Sequence, residues 1–375
     1  MEKEKQLFHG KEWFERMTNN TTTHVTSARM TYFGAEPILQ LTATSFIALV
    51  GVMGNILTCV TLMSKHEPFK SPIKQYLISL AVADIGILTI AYPMIIIRSE
   101  ISWPFGEYVC RLIFPLTDVF FGASVWAVTA VSLERWRKIL TTRLKSTIES
   151  SGYAMRVVAA IWIASFLVTS TPFYIMVEYI DTGNDKFCLY HWDKYEKFHE
   201  VHSVVLFLFW FGVPMGIILC NYISITRTLK ESTKFIVHFY KTISAEPSSS
   251  FTATSSQIFS KLSSTSNAPV CRRLKENKQA QLILTPVVIM FAITMLPFNL
   301  MLLTLAFWPH LALMPFFPDI VYLCILLVVV NSSCNPIIYE LVSRNFRNSL
   351  WAVLEGTCRK LFESEREDFE REHVV

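Results

Sequence analysis

Two carboxylates sit inside long apolar runs: Asp84 in Leu80-Ala81-Val82-Ala83-Asp84, and Asp118 in the next such run. A third charged group, Arg135 in Glu134-Arg135-Trp136, closes that later run. Two aspartates within membrane spans are what a protease that activates water between carboxyl groups would need. These two stand at different depths, Asp84 the deeper, and neither lies in the Tyr-Asp or Gly-x-Gly-Asp setting of such enzymes. Ionisable residues within spans otherwise mark ion sites, relays and switches, because an unpaired charge in lipid is expensive. Asp84 has fitting surroundings, since Asn55, Ser124, Asn331, Ser332 and Asn335 are amide or hydroxyl side chains at similar predicted depth. One carboxylate among neutral oxygen donors describes a monovalent cation site better than a divalent one, which recruits more acids. A hydrogen-bonded packing cluster is the alternative.

The elements that must position these residues are membrane helices. Of 375 residues, 52% are hydrophobic and 17% charged, and the apolar residues come in blocks rather than in the alternation of a soluble core. A span needs about 20 apolar residues. Seven segments qualify: 38–63, 74–97, 108–134, 154–177, 201–226, 281–307 and 316–340. The fold class is an all-α membrane protein, a seven-transmembrane helix bundle, with nothing left over for a second folded domain.

Residues 1–37 read as an extracellular tail without the apolar stretch and cleavage site of a secretory signal. They carry overlapping glycosylation acceptors at Asn19 and Asn20. Orientation is set by basic residues. Residues 227–278 hold nine Lys and Arg against three acids, and 137–156 hold five against one, which puts both in the cytoplasm. The N-terminus is then outside, as is the 178–200 connection, where six acids outnumber three lysines. Of eight cysteines, only Cys110 and Cys188 fall outside, where two thiols suggest one bridge and two free thiols are the alternative.

The connection at about 232–272 is Ser/Thr-rich at its centre and reads as a disordered third intracellular loop, a platform for phosphorylation or a plain linker. Within 341–375, Phe346, Leu350, Trp351 and Leu354 recur at helical spacing among basic residues, which describes a short amphipathic eighth helix lying on the membrane. Cys358, just past it, is a palmitoylation candidate. Pro93, Pro172, Pro214, Pro297 and Pro336 each fall within a span and free backbone carbonyls there.

Taken in order, Gly54-Asn55, Asp84, Cys110 placed 25 residues before Arg135, Trp162, Pro214 with Tyr222, Phe291 with Pro297, and Asn335-Pro336-Ile337-Ile338-Tyr339 resemble the helix motifs of rhodopsin-like G-protein-coupled receptors. The resemblance covers essentially the whole bundle. It implies a receptor without enzymatic activity that binds an extracellular ligand and activates heterotrimeric G proteins at the plasma membrane. Glu134, Arg135, Trp136, Tyr222, Asn335, Pro336 and Tyr339 would form the activation switch, with Glu134 restraining Arg135 in the inactive state. Phe291, Met295, Pro297 and Pro214 would transmit the signal. Asp84, Ser124, Asn331 and Asn335 would hold an allosteric sodium ion, with no other cofactor. The resemblance of Trp103-Pro104-Phe105-Gly106 to the family's first outside turn supports the bridge between Cys110 and Cys188. Arrestin and receptor kinases would act on the third intracellular loop, and no nucleic acid is expected as a partner.

The chain departs from the family at Met295, where tryptophan is usual, at Thr294, where cysteine is common, at Trp136 in place of tyrosine, and at Asn277 in place of an acid. Amine receptors place an aspartate at the position of Thr117; Asp118 lies one residue further, about 100° around the helix. Span seven has no lysine to carry retinal. By the same register, Thr117, Asp118, Phe121, Phe298, Asn299 and Leu302 should line the ligand pocket. An acidic, aromatic outside loop would suit a basic or amidated peptide, and the pattern is similar to neuropeptide receptors of the RFamide, galanin and tachykinin sort. An amine or lipid ligand is the alternative. A transporter would be the more distant rival, but the two halves show no internal repeat.

Overall fold

The computed structural model describes residues 37–65, 72–100, 102–140, 151–183, 186–190, 196–243, 268–343 and 346–356. Seven helices among them are long and apolar enough to cross a membrane: α1 (Ile38–Met63), α2 (Ile73–Arg98), α3 (Gly106–Ile139), α4 (Gly152–Met176), α5 (Lys197–Lys234), α6 (Thr285–Phe307) and α7 (Phe317–Leu341). A further helix, α8, covers 346–356. The chain is thus a multi-pass membrane protein built almost wholly of helix. Such a fold satisfies each backbone polar group within its own segment, as lipid requires.

The bundle is arranged around α3. Of its most apolar stretch 67% is buried, against 28% for α4, so α3 is the central post and α4 stands at the rim. Large apolar side chains left uncovered, such as Ile38, Phe46, Ile163, Val201, Ile293 and Leu341, form the lipid-facing surface. Small residues set the closest approaches. Gly51 and Gly54 of α1 lie against Ser333 and Pro336 of α7, and a methyl group at Gly51 would collide with the Ser333 side chain. Asn55 Nδ2 fastens the same seam, donating to the carbonyls of Gly51 at 2.9 Å and Ser332 at 3.0 Å. Trp162 of α4 donates to Ser79 of α2 at 3.0 Å.

Four of the helices include a π-helical turn: Ile87–Ala91 in α2, Val109–Ile113 in α3, Phe166–Ser170 in α4 and Leu208–Gly212 in α5. Each inserts an extra residue and rotates the rest of its helix, a distortion frequent at functional sites. Pro297 and Pro336 lie inside α6 and α7, where each removes a backbone donor.

At one end of the bundle α4 leads into a hairpin. Strand β1 (Val177–Asp181) pairs antiparallel with β2 (Lys186–Tyr190), from Val177 opposite Tyr190 to Asp181 opposite Lys186. Gly183 takes the positive φ of its turn. Cys188 of β2 is bonded to Cys110 of α3, as the positions of the two cysteines suggested. Trp103 is buried beside this bridge, its Nε1 donating to the Gly106 carbonyl at 2.9 Å and its ring meeting Phe105 and Phe114 edge to face. Gly106 has φ of +72°, which explains the glycine that ends the Trp-x-Phe-Gly turn.

At the opposite end the helices outrun the apolar segments. The helix of α5 continues to Ile243, and that of α6 begins at Ala268. The expected disordered loop is thereby narrowed, because a helix need not stop where hydrocarbon does; residues 244–267 lie outside the described ones. So do Asn19, Asn20 and Cys358. In α8, Phe346 and Leu350 are buried, Phe346 against Tyr339 with ring centroids 6.1 Å apart, while Trp351 is exposed. This is the one-sided burial expected of a helix lying on a bilayer.

Candidate functional site

Between the disulfide and the Arg135 end, the bundle holds three sites of interest, two polar and one largely apolar. The first is built by α2, α3 and β2. The Arg98 guanidinium lies over the Phe114 ring at 5.0 Å and the Tyr190 ring at 5.2 Å. Its charge reaches Asp118, which the Tyr190 side chain also faces. Burial pushes the Tyr190 phenol well above its ordinary range, and the neighbouring Asp118 charge adds to this, so the phenol stays a neutral donor at any physiological pH. Tyr190 is further fixed by stacking on Phe173 at 4.5 Å and Phe114 at 5.2 Å.

The second level is a small, partly enclosed cavity of about 10 Å³, room for roughly one water, between α2, α3, α5 and α6. Phe121, Ser124, Trp210, Met295, Phe298 and Asn299 supply most of its wall. Phe121 stacks on Phe298 at 6.0 Å, and Trp210 stacks on Phe298 at 6.3 Å. Met295 is buried, and one turn below it Phe291 stacks on Phe211 at 6.1 Å.

The third level surrounds Asp84, which is wholly buried. Ser124 Oγ donates to its Oδ1 at 2.9 Å, and Asn335 Nδ2 donates to its Oδ2 at 2.7 Å. The Ser332 hydroxyl faces the same carboxylate without meeting hydrogen-bond geometry. Asn331 instead turns its Oδ1 to Thr294 of α6, which donates at 3.0 Å.

At the far end, Glu134 is buried and its carboxylate accepts a forked pair of hydrogen bonds from Arg137, at 3.1 and 2.9 Å, with Lys138 at 3.8 Å. Residues three and four apart share a helix face, whereas adjacent ones diverge by about 100°. That geometry gives the Glu134 hydrogen bonds to Arg137 rather than to neighbouring Arg135, which remains within its electrostatic reach. Arg135 and Tyr222 are half-buried, Tyr339 is buried, and Trp136 is exposed. Asn221, beside Tyr222, donates to Ser132 of α3 at 3.3 Å.

The structure therefore gathers Phe121, Phe298 and Asn299 at the cavity, with Leu302 packed against the same apolar cluster. Thr117 is not in the cavity wall; its hydroxyl donates to the Phe114 carbonyl at 2.7 Å inside α3. Asp118 engages Arg98 and Tyr190. Sequence reasoning missed Arg98 and Trp210. Arg98 looked like the polar end of span two, and Trp210 was lost in the run Phe207-Leu208-Phe209-Trp210-Phe211, where only the π-helical turn reveals which ring faces inward.

Seven apolar helices, a disulfide at one end and a buried carboxylate cluster within define a heptahelical membrane bundle. Residues 54–339 match the family described as 7 transmembrane receptor (rhodopsin family), and the chain belongs to that family. It is 26% identical to galanin receptor type 1 of Rattus norvegicus over 348 residues, which cover 91% of this chain and 89% of that one. Neuropeptide Y receptor type 6 of Mus musculus is 23% identical, with 91% and 90% covered. A GQ-coupled rhodopsin of Mizuhopecten yessoensis is 23% identical over 82% of this chain and 57% of its own. Retinal attachment has no basis here, since α7 contains no lysine.

Proposed function

We propose that this protein is a plasma-membrane receptor, N-terminus outside, which binds an extracellular peptide at the disulfide end and activates heterotrimeric G proteins at the Arg135 end. The observation that carries this reading is the end-to-end correspondence with receptors named for galanin and neuropeptide Y, at about nine-tenths of both chains. Phe121, Phe298 and Asn299, three of the residues expected to line the ligand site, border one small, largely apolar cavity, which supports it. Ligand binding favours one helix packing over another, and the shift is bounded by the ligand's differential affinity for the two states. No covalent chemistry is required of the receptor.

Arg135, Tyr222 and Tyr339 form the G-protein switch, and the Phe291 and Met295 layer, bent at Pro297, couples it to the cavity. Asp84 with Ser124 and Asn335 supplies the donors for a sodium ion that stabilises the inactive packing, and the Ser332 hydroxyl, buried and unmatched, is a fitting further oxygen. Asn331 contributes through Thr294. Glycans on Asn19 and Asn20, a palmitoyl group on Cys358, and phosphorylation of the third intracellular loop by receptor kinases, with arrestin binding, complete the reading.

The test is G-protein activation in cells expressing the full chain, across several G-protein classes, with amidated neuropeptides, amines and lipids applied. A peptide response that disappears in Arg135→Ala at equal surface level supports the reading. A response restricted to amines or lipids would replace the ligand class, and signalling unchanged by Arg135→Ala would remove the switch assignment.

A further inference from the structure

The Glu134 carboxylate has two oxygens, and both are engaged by one side chain. Arg137 donates from Nε to Oε2 at 3.1 Å and from Nη2 to Oε1 at 2.9 Å, and the Lys138 ammonium lies 3.8 Å from Oε1. The Glu134 side chain is 4% exposed, against 28% for Arg137 and 32% for Lys138, so water solvates the cations but hardly reaches the carboxylate. A buried carboxylate depends on its partners in that way. Tyr76 of α2 is within electrostatic reach of both Glu134 and Arg137, and Tyr153 of α4 within reach of Arg137. The pair is therefore held on the side of α3 that meets α2 and α4. Arg135 stands about 100° around the helix from Glu134, and Ser132, three residues before Arg135 on the same face, meets Asn221 of α5.

We propose that Arg137 is a positioning residue for the switch: it competes with Arg135 for the Glu134 carboxylate, and by drawing that carboxylate toward α2 and α4 it weakens the hold on Arg135 and raises the receptor's resting output. The assignment rests on the reading of Arg135 as the G-protein switch. Glu134 and Arg135 are within electrostatic reach, but adjacent residues do not face each other on a helix, so a direct pair between them must pull both side chains off their own faces. Arg137, three residues on, shares the Glu134 face and needs no such displacement. Its fork is also the strongest form of carboxylate pairing, because two parallel charge-assisted bonds fix both oxygens. Lys138, one residue further along the same face, offers a single, longer contact and can replace only part of that hold.

The assay is GTPγS uptake by purified G proteins of several classes, in membranes of cells expressing the full chain at equal surface level, with no ligand added. An ion pair of this exposure corresponds to about two- to fivefold in the active population. Arg137→Gln should lower the resting output of wild type by that factor, Arg137→Lys should keep part of it, and adding Lys138→Gln to Arg137→Gln should lower it further. In a Glu134→Gln background no charge is left to compete for, so adding Arg137→Gln should change nothing. If Arg137 only braced the fold or touched the G protein itself, output would fall alike in both backgrounds, and that result overturns the proposal. So does a wild type with no output above Arg135→Ala, or an output unaltered by Arg137→Gln. Should Arg137→Gln fail to reach the surface, Arg137→Lys compared in the two backgrounds decides. A peptide response that depends on Arg135 would leave the receptor reading standing in each of these cases, so the two fail separately.

Discussion

Ser124 donates its hydroxyl to Asp84 Oδ1 at 2.9 Å, and the same side chain forms part of the cavity wall. One residue on the central helix thus touches both the cavity and the buried carboxylate. Anything that moves α3 or α7 against α2 changes the oxygen set around Asp84. If that set holds sodium in the inactive packing, agonist and sodium oppose each other, and the opposition must be reciprocal.

Replacing Asp84 by Asn keeps the shape and removes the charge. In wild type, raising sodium at constant ionic strength should lower agonist affinity several-fold, a coupling of about 1 kcal/mol or more. In Asp84→Asn the sodium effect should vanish, and in Ser124→Ala it should shrink. Radioligand or fluorescent-agonist binding in sodium against choline buffer reads this directly; an equal sodium response in wild type and Asp84→Asn would remove the ion from the site.

Arg98 and Asp118 offer a second test, this time of packing. Both side chains are partly buried, and Arg98 also lies over the Phe114 and Tyr190 rings, a contact worth about 0.5–2 kcal/mol. Arg98→Ala should therefore lower the thermal stability of the solubilised receptor measurably, and Asp118→Asn less so, because Tyr190 can still meet an amide. If the two charges act on each other, the double variant should lose less than the sum of the single ones. Additive effects in the double-mutant cycle would show that the two side chains do not act on each other.

The α1 and α7 seam makes a steric prediction. Gly51→Ala places a methyl group against Ser333 and Leu88, both on packed helices, and overpacking of this kind costs about 1–3 kcal/mol. Gly216→Ala, whose added carbon meets nothing, should be neutral or slightly stabilising. Melting of the two variants in the same detergent distinguishes them, and equal melting temperatures would contradict the close approach.

Much of this was legible in the sequence because the bilayer imposes a length on each helix. Every span came within a few residues of its observed ends except α5 and α6, whose polar continuations no hydropathy reading can see. Asp84, Ser124 and Asn335 were readable as a set, since a buried carboxylate has few places to find donors. The ligand-side residues were harder. Thr117 and Asp118 came from an ideal helical register, yet α3 begins with a π-helical turn and a 3₁₀ turn at Pro115–Thr117, which rotate that register. Trp210 likewise faces the cavity only because α5 carries a π-helical turn. Helix distortions are set by packing and leave no periodic mark.

Met295 stands where the family usually has tryptophan, and the structure gives the substitution a consequence. Its thioether forms part of the cavity wall, one turn above the stacked Phe291 and Phe211. A flexible, unbranched side chain holds neighbouring rings less firmly than a rigid indole, so the inactive packing is less tightly held and basal signalling should be raised. Met295→Trp would fill part of the cavity and should lower basal G-protein activation by several-fold at matched surface level, since about 1 kcal/mol added to the inactive state changes the active population by a factor near five. The same indole would crowd Asn299 and Trp210, so agonist potency should fall as well. A variant with reduced potency but unaltered basal activity would assign Met295 to ligand contact alone, and unchanged values of both would leave it with a packing role.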